Sequence, residues 1–209
     1  MNPYWLNRVK VNIFPVSFEQ SDVRKALNEW VYQGNMYDVE VAEETCELCD
    51  QPHIRYQFEI FNILTGNILQ IGSECIKRFN IGVVDQRGHI LSTDAARKKV
   101  NKDRNKLITD AKVKSVINSL VDLARVDDQF DIESFIKYFK ENGAFTPKQL
   151  ITLIWRFETH KIEHIKPHLK MTIKKNKDKE QLLNMVEWKI QKIWDCMSTS
   201  QKDIYNKNK

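Results

Sequence analysis

The amino-acid sequence predicts an α+β protein, in which a small N-terminal module containing the β-strands is followed by a mostly helical domain. Apolar and polar residues alternate over residues 54–62, as in a half-buried strand. In the second half of the chain, apolar residues instead recur at helical spacing. Three of the four cysteines also fall in the N-terminal part. We therefore predict a module over residues 1–82 and a helical domain over residues 93–209.

The composition is that of a globular protein, because 42% of the 209 residues are hydrophobic and 29% are charged. No run of about 18 apolar residues occurs, so we expect no membrane span and no membrane partner. The N-terminus shows no charged leader followed by an apolar segment, and we expect a cytoplasmic protein. In that compartment, closely spaced cysteines are more often metal ligands than disulfide partners.

The first 45 residues predict a weak edge strand, a helix and a second strand. Residues 1–16 contain apolar residues around a proline, which favours an edge strand at most. Ser21-Asp22 supplies a favourable N-cap and an acid in the first turn of a helix that we expect to include Trp30 and to end at Gly34. Residues 36–43 are predicted to form a strand that leads to the first cysteine.

A β-hairpin and a short helix follow. Residues 54–62 and 68–71 are the predicted strands of the hairpin, and Thr65-Gly66-Asn67 is its turn. Ser73 is a candidate N-cap for a helix over residues 74–79.

The rest of the chain predicts helices. One is expected to begin at Thr93 or the preceding serine, with charged residues in its first half and an apolar face in its second. Capping signals predict further helices, and they lie at Asp131, at residues 146–149 and at residues 198–201. Residues 179–197 are predicted to form a single helix with Val186 and Ile193 in its apolar stripe.

The cysteine spacing predicts a structural zinc site. Cys46 and Cys49 are separated by two residues, which lets both thiolates bind one zinc ion at about 2.3 Å. Cys75 follows the hairpin at the start of a helix, where free backbone N–H groups and the helix dipole favour a thiolate. A knuckle, a hairpin and a helix in this order are typical of a treble-clef module. Because so small a module has little core, we expect the metal to stabilise its fold.

The fourth ligand of this site is left open by the sequence. His53 lies four residues after Cys49 and would complete a site of three cysteines and one histidine. The other candidates are Cys196, Asp50 and Glu74. Three buried cysteines that pack as small apolar side chains, without a metal, are the alternative interpretation.

The N-terminal module contains four motifs that support the zinc hypothesis. They are Cys46-Glu-Leu-Cys49, His53-Ile-Arg-Tyr, the Thr-Gly turn of the hairpin, and Gly72-Ser-Glu-Cys75 followed by Ile-Lys-Arg-Phe. Together they resemble a zinc-binding segment of poorly characterised proteins from low-GC bacteria and their phages, over residues 26–80. The resemblance implies a bound zinc and a bacterial or phage origin, and it carries no assigned activity. Some of those proteins have a second cysteine where this chain has Ser73.

Positive charge is concentrated in two later segments. Residues 1–80 carry 7 Lys/Arg against 11 Asp/Glu, whereas residues 81–120 carry 9 against 4 and residues 161–209 carry 12 against 6. The two basic clusters are Arg97, Lys98, Lys99, Lys102, Arg104 and Lys106, and then Lys166, Lys170, Lys174, Lys175, Lys177 and Lys179, of which Lys170, Lys174 and Lys175 are the candidate contacts. Such a density of positive charge is typical of proteins that bind nucleic-acid backbones. The alternative interpretation is that the two clusters are solvated surface and bind no ligand. We therefore expect a zinc-containing, nucleic-acid-binding accessory protein.

Trp188 supports a second functional hypothesis. On its predicted helix it lies nearly opposite the apolar stripe, so it either packs in a second layer or is an exposed hot spot for a protein partner. The protein would then be an inhibitor or adaptor of a host protein complex.

The sequence does not favour an enzyme. It contains no His-Glu-x-x-His motif and no glycine-rich phosphate-binding loop. His160, His164 and His168 share a helical spacing that Pro167 interrupts, and we interpret them as exposed imidazoles. The acidic residues between positions 122 and 133 are interpreted as a solvated loop and a helix cap.

Overall fold

A computed structural model of the protein describes residues 3–208 and shows two compact units, Met1–Ala111 and Lys112–Lys209. The first unit contains a β-sheet, and the second is built from helices. The predicted α+β class is therefore confirmed. Among the described helices, none has the length and hydropathy that crossing a lipid bilayer requires.

The first unit begins with two helices. They are α1 (Pro3–Ile13) and α2 (Val23–Asn28). Val9 and Ile13 are fully buried one helical turn apart on α1, and this apolar face explains why a helix forms where the sequence suggested an edge strand. The first two residues of that predicted strand lie outside the described part of the chain. Of the predicted pair Ser21-Asp22, it is Asp22 that forms the N-cap of α2, by accepting hydrogen bonds from two backbone N–H groups.

A four-stranded sheet in the order β3-β2-β1-β4 forms the centre of the first unit. The strands are β1 (Trp30–Asp38), β2 (Tyr56–Asn62), β3 (Ile68–Ile71) and β4 (Gly82–Val83). The predicted hairpin of β2 and β3 is confirmed, and Gly66 supplies its turn with φ +77°. β1 starts earlier than predicted, because Trp30 and Val31 pair with β2 instead of extending α2. A short apolar run fits either a helix or a strand, so periodicity alone does not decide between them.

Two helices follow the hairpin, α3 (Ser73–Arg78) and α4 (Thr93–Val126). Gly72, and not Ser73, is the N-cap of α3. The 34 residues of α4 form one continuous helix. Its first half contributes Val100 and Leu107 to the core of the first unit. For this reason the two units divide at residues 111 and 112, whereas the sequence suggested a boundary between residues 82 and 93.

The second unit contains the end of α4 and shorter helices. These are α5 (Ile132–Asn142), α6 (Pro147–Thr159), α7 (Asn176–Leu183), α8 (Glu187–Ile193) and α9 (Thr199–Lys207). The predicted caps at Asp131, Thr146 and Ser198 are confirmed. Residues 179–197 do not form one helix, because the chain breaks between α7 and α8 and leaves Val186 exposed. Each helix buries its own apolar residues, Leu182 on α7 and Ile190 and Ile193 on α8.

Candidate metal centre and candidate nucleic-acid interface

Cys46, Cys49 and Cys75 form a buried cluster, the cysteine cluster, whose sulfur atoms all lie within 4.8 Å of one another. The sulfur of Cys75 is 3.6 Å from that of Cys46 and 3.1 Å from that of Cys49. Two sulfurs bound to one tetrahedral ion at about 2.3 Å are about 3.8 Å apart, so small shifts would let all three bind the same ion. The three cysteines form no disulfide. In residues 3–208 this is the only such group of His, Cys, Asp or Glu side chains.

Local hydrogen bonds hold the first two cysteines in a tight turn. The N–H groups of Cys49 and Asp50 donate to the carbonyl of Cys46 at 3.3 and 2.9 Å. The N–H of Glu47 donates to the carbonyl of Gln70 at 3.0 Å, which attaches this turn to β3. The third cysteine lies in the first turn of α3. The hairpin therefore brings the two halves of the cluster together.

The three thiols differ in acidity. Hydrogen bonds from the thiols of Cys49 and Cys75, and from the backbone N–H of Gly72, lower the pKa of Cys46. The interaction with Cys46 and the burial of the site raise the pKa of Cys49 and Cys75. Without a cation the cluster therefore favours one thiolate, because adjacent thiolates repel one another. A divalent cation would stabilise all three thiolates, and the donor set fits such an ion.

The structure does not bring the predicted fourth ligands into the cysteine cluster. His53 is exposed, and its Nδ1 lies 3.2 Å from the carbonyl oxygen of Ala42. Asp50 accepts a hydrogen bond from α1 at 2.8 Å, and Glu74 accepts one at 2.6 Å from the lysine one turn further along α3. Cys196 is part of the core of the second unit, where burial raises the pKa of its thiol to about 12.

A cavity of about 220 Å³ opens beside the cysteine cluster. Its lining includes all three cysteines, Gly72, Ser73, Glu74 and Arg104. Gly72 and Arg104 were not predicted to belong to the metal site. A sequence signal for Gly72 exists, because it precedes Cys75 by the same three positions that separate Cys46 from Cys49.

Most of the first predicted basic cluster lies on an exposed surface of α4. Its exposed members, which we call the cationic stripe, are Arg97, Lys98, Lys102, Arg104 and Lys106. No acidic residue of the described chain forms an ion pair with any of them. Lys99 differs, because its Nζ lies 2.9 Å from Asp103 and 5.3 Å from the centre of the Tyr32 ring.

The second basic cluster lies in the second unit. Lys170, Lys174 and Lys175 are exposed and form no ion pair within residues 3–208. They follow the short turn that contains Lys166, which is 3.7 Å from Glu158. They are therefore available to a ligand.

Trp188 is exposed on α8, with 56% of its surface accessible. Trp155 on α6 is 54% exposed, and Val186 is 53% exposed. A cavity of about 640 Å³ in the same unit is lined by apolar and basic side chains, among them Ile151, Met185, Val186, Lys148 and Lys189. Trp188 is therefore not packed in a second layer within this unit.

The histidines of the second unit have protein partners. Nε2 of His160 lies 3.2 Å from the carboxylate of Asp127, which also pairs with Arg156. Nδ1 of His168 lies 3.1 Å from the hydroxyl of Ser115. The interpretation of Asp127 as a solvated residue is wrong, because its side chain is buried by these partners.

Comparisons of the chain with protein-family models, with curated proteins and with solved structures found no match. The function must therefore be inferred from the chemistry of the two sites.

Proposed function

We propose that this chain is a non-enzymatic nucleic-acid-binding accessory protein of bacterial or phage origin, whose first unit is a treble-clef-like module stabilised by zinc. The observation that carries the proposal is the cationic stripe, five exposed cations within one stretch of α4 that no acidic side chain of residues 3–208 neutralises. Unpaired cations at this density attract phosphate, because binding releases condensed counterions from the nucleic acid.

The spacing of the stripe supports a backbone contact. Lys98, Lys102 and Lys106 recur every fourth residue, so they stand on one face of α4 about 6 Å apart. The neighbouring Asn101 and Asn105 are also exposed and can donate hydrogen bonds to phosphate oxygens. Contacts to the phosphate backbone carry no direct sequence information, so we expect binding with little sequence preference.

The zinc part of the proposal is supported by the donor set. Three buried thiolates favour zinc among the common divalent ions, and sulfur ligands held by a knuckle and a helix are typical of structural sites. We expect about one zinc per chain by elemental analysis after purification without chelators. A folded protein that carries no metal and binds none when zinc is added would refute this part.

Binding to nucleic acid is tested by fluorescence anisotropy with labelled duplex and single-stranded oligonucleotides. Five phosphate contacts predict a slope of about −4.5 for log K against log salt on duplex DNA, or roughly a 500-fold loss between about 50 and 200 mM salt. The double variant Lys98→Gln/Lys102→Gln should make this slope shallower by about 1.8 units.

A matched control removes the same charge elsewhere. Lys137 and Lys140 are exposed on α5, and Lys137→Gln/Lys140→Gln should leave the slope unchanged. Absence of binding at low salt and micromolar protein would refute the proposal. An equal effect of the two double variants would show that net charge, and not the cationic stripe, determines binding.

A second candidate function is the binding of a host protein. It is supported by the exposure of Trp155, Val186 and Trp188 in one unit, because exposed tryptophans are enriched at binding hot spots. Affinity purification should then return one stoichiometric protein that resists nuclease and salt. Trp188→Ala should abolish that association while leaving the thermal unfolding of the chain unchanged. Retention of the partner by this variant would exclude Trp188 as the contact.

A further inference from the structure

The cysteine cluster lacks one member of a symmetrical pattern. Cys46 and Cys49 are three positions apart, and the position three before Cys75 is occupied by Gly72. Gly72 is the N-cap of α3 and lines the same cavity as all three cysteines, so it lies at the edge of the cluster. Glycine presents no ligand atom there. The cluster therefore has three thiols, and residue 72 adds no fourth ligand.

The space around Gly72 is open. A Cβ atom added at Gly72 would have Ile54 as its nearest neighbour, at an ordinary contact distance of 3.8 Å. Gly72 also lines the 220 Å³ cavity together with all three cysteines. Glycine is not required here by close packing or by a positive φ, because its φ is −75°. A side chain at position 72 would therefore have room in the cavity that adjoins the cysteine cluster.

The protein's own donors near this opening have other partners. Asp50 and Glu74 accept hydrogen bonds within the first unit, and His53 lies near the carbonyl of Ala42. Arg104 lines the cavity and pairs with no acidic residue of the described chain. The cavity therefore presents a cation, and no His, Asp or Glu side chain and no fourth Cys of residues 3–208 joins the three cysteines.

We propose that the metal in the cysteine cluster keeps a coordination position open beside Gly72, and that this position takes the thiolate of a small molecule. The proposal rests on the metal site proposed above. A thiolate is the best match because three cysteine thiolates select metal ions that prefer sulfur, and a fourth sulfur completes the ligand set of sites with four thiolates. The guanidinium of Arg104 would offset the added negative charge.

The test uses the full-length protein loaded with cobalt(II), whose visible absorption reports its ligands, and kept reduced with a phosphine. Titration with 2-mercaptoethanol should change the spectrum with saturation at one thiol per metal. Phosphate, added as a harder ligand, should produce no such change. Arg104→Gln should weaken the affinity for the thiol several-fold without changing the amount of cobalt bound.

Two variants of Gly72 distinguish an open position from a filled one. Gly72→Cys should bind cobalt with the spectrum of the thiol-saturated wild type and should no longer respond to 2-mercaptoethanol. Gly72→Ala adds only a methyl group and should retain the response, which controls for disturbance of α3. Circular dichroism of each variant verifies that it is folded.

The outcomes separate this inference from the proposals on which it rests. If cobalt binds but the wild-type spectrum does not change when 2-mercaptoethanol is added, a group of the protein fills the fourth position. That result would refute only this inference. A thiol response that survives in folded Gly72→Cys would also overturn it. If no cobalt binds at all, the metal site itself is refuted together with the inference. Nucleic-acid binding is measured separately and depends on neither result.

Discussion

Replacing Glu29 by glutamine should destabilise the first unit by about 3 kcal/mol. Glu29 is buried, and its carboxylate accepts hydrogen bonds from the backbone N–H groups of Phe18 at 2.8 Å and Glu19 at 2.7 Å. It also accepts one from the side-chain amide of Asn62 at 2.9 Å. The carboxylate thereby joins the chain before α2 to the end of β2.

The magnitude follows from these three contacts. Glutamine has one oxygen, so at least one of the three donors faces an NH2 group, at a cost of about 2 kcal/mol for a lost hydrogen bond to a charged acceptor. The remaining bonds lose their charge assistance, which costs about 0.5 kcal/mol or more each. The total is about 3 kcal/mol.

The effect should depend on pH. Burial by itself would raise the pKa of Glu29, but the hydrogen bonds from Asn62 and from the two N–H groups outweigh it and hold the pKa below its usual value. The carboxylate therefore stabilises the fold fully above the usual carboxyl range, and this contribution is lost as the pH falls through the lowered pKa. The difference in free energy of unfolding between wild type and Glu29→Gln should shrink in acid.

Hydrogen exchange followed by mass spectrometry can measure this effect in peptides from β2 and β3, because it reports the stability of the first unit separately. Glu43→Gln is the matched control, since Glu43 is exposed and has no hydrogen-bond or ion-pair partner among the described residues. A loss below about 1 kcal/mol for Glu29→Gln would refute the reasoning, because the bonds would then contribute no more than neutral ones. A loss that stays constant into acid would refute the role of the charge.

The remaining predictions concern the metal site and the second unit. Cys75→Ser should abolish stoichiometric zinc binding and speed amide exchange over residues 44–80, while amide exchange in α6 stays unchanged. If the amides of the wild type are equally protected from exchange with and without zinc, the metal does not stabilise the fold. Asp127→Asn should lower the stability of the second unit by about 1–3 kcal/mol, because Arg156 and His160 lose a charged acceptor. Thermal unfolding measures this loss, and Asp128→Asn, at an exposed neighbouring position, is the control.

Local signals in the sequence predicted those parts of the fold that local chemistry determines. The alternation in β2, the turn at Gly66 and the capping boxes at Thr146 and Ser198 all depend on residues a few positions apart. The spacing of Cys46 and Cys49 likewise predicted two members of the cysteine cluster. In each case the interacting groups are close in the chain.

The features that were missed depend on contacts between distant residues. Trp30 fits a helical stripe as well as a strand, and pairing with Asn62 decides for the strand. Asp127 is buried because the side chain of Arg156, 29 positions away, donates a hydrogen bond to its carboxylate. Two further features depend on how the turn of Cys46–Cys49 packs against α3. They are the position of His53 outside the cysteine cluster and the cavity beside Gly72. No periodicity in the sequence encodes these contacts.

The long helix α4 has a consequence for synthesis on the ribosome. Val100 and Leu107 complete the core of the first unit, so this core cannot close until α4 has been translated. Cys75 precedes Leu107 by 32 residues, and at about 5–20 residues per second the delay is about 2–6 s. The three cysteines therefore leave the ribosomal exit tunnel at least this long before Leu107, while Leu107 does not yet contribute to the core. The nascent chain therefore meets metal ions, thiols and chaperones before its first unit is complete.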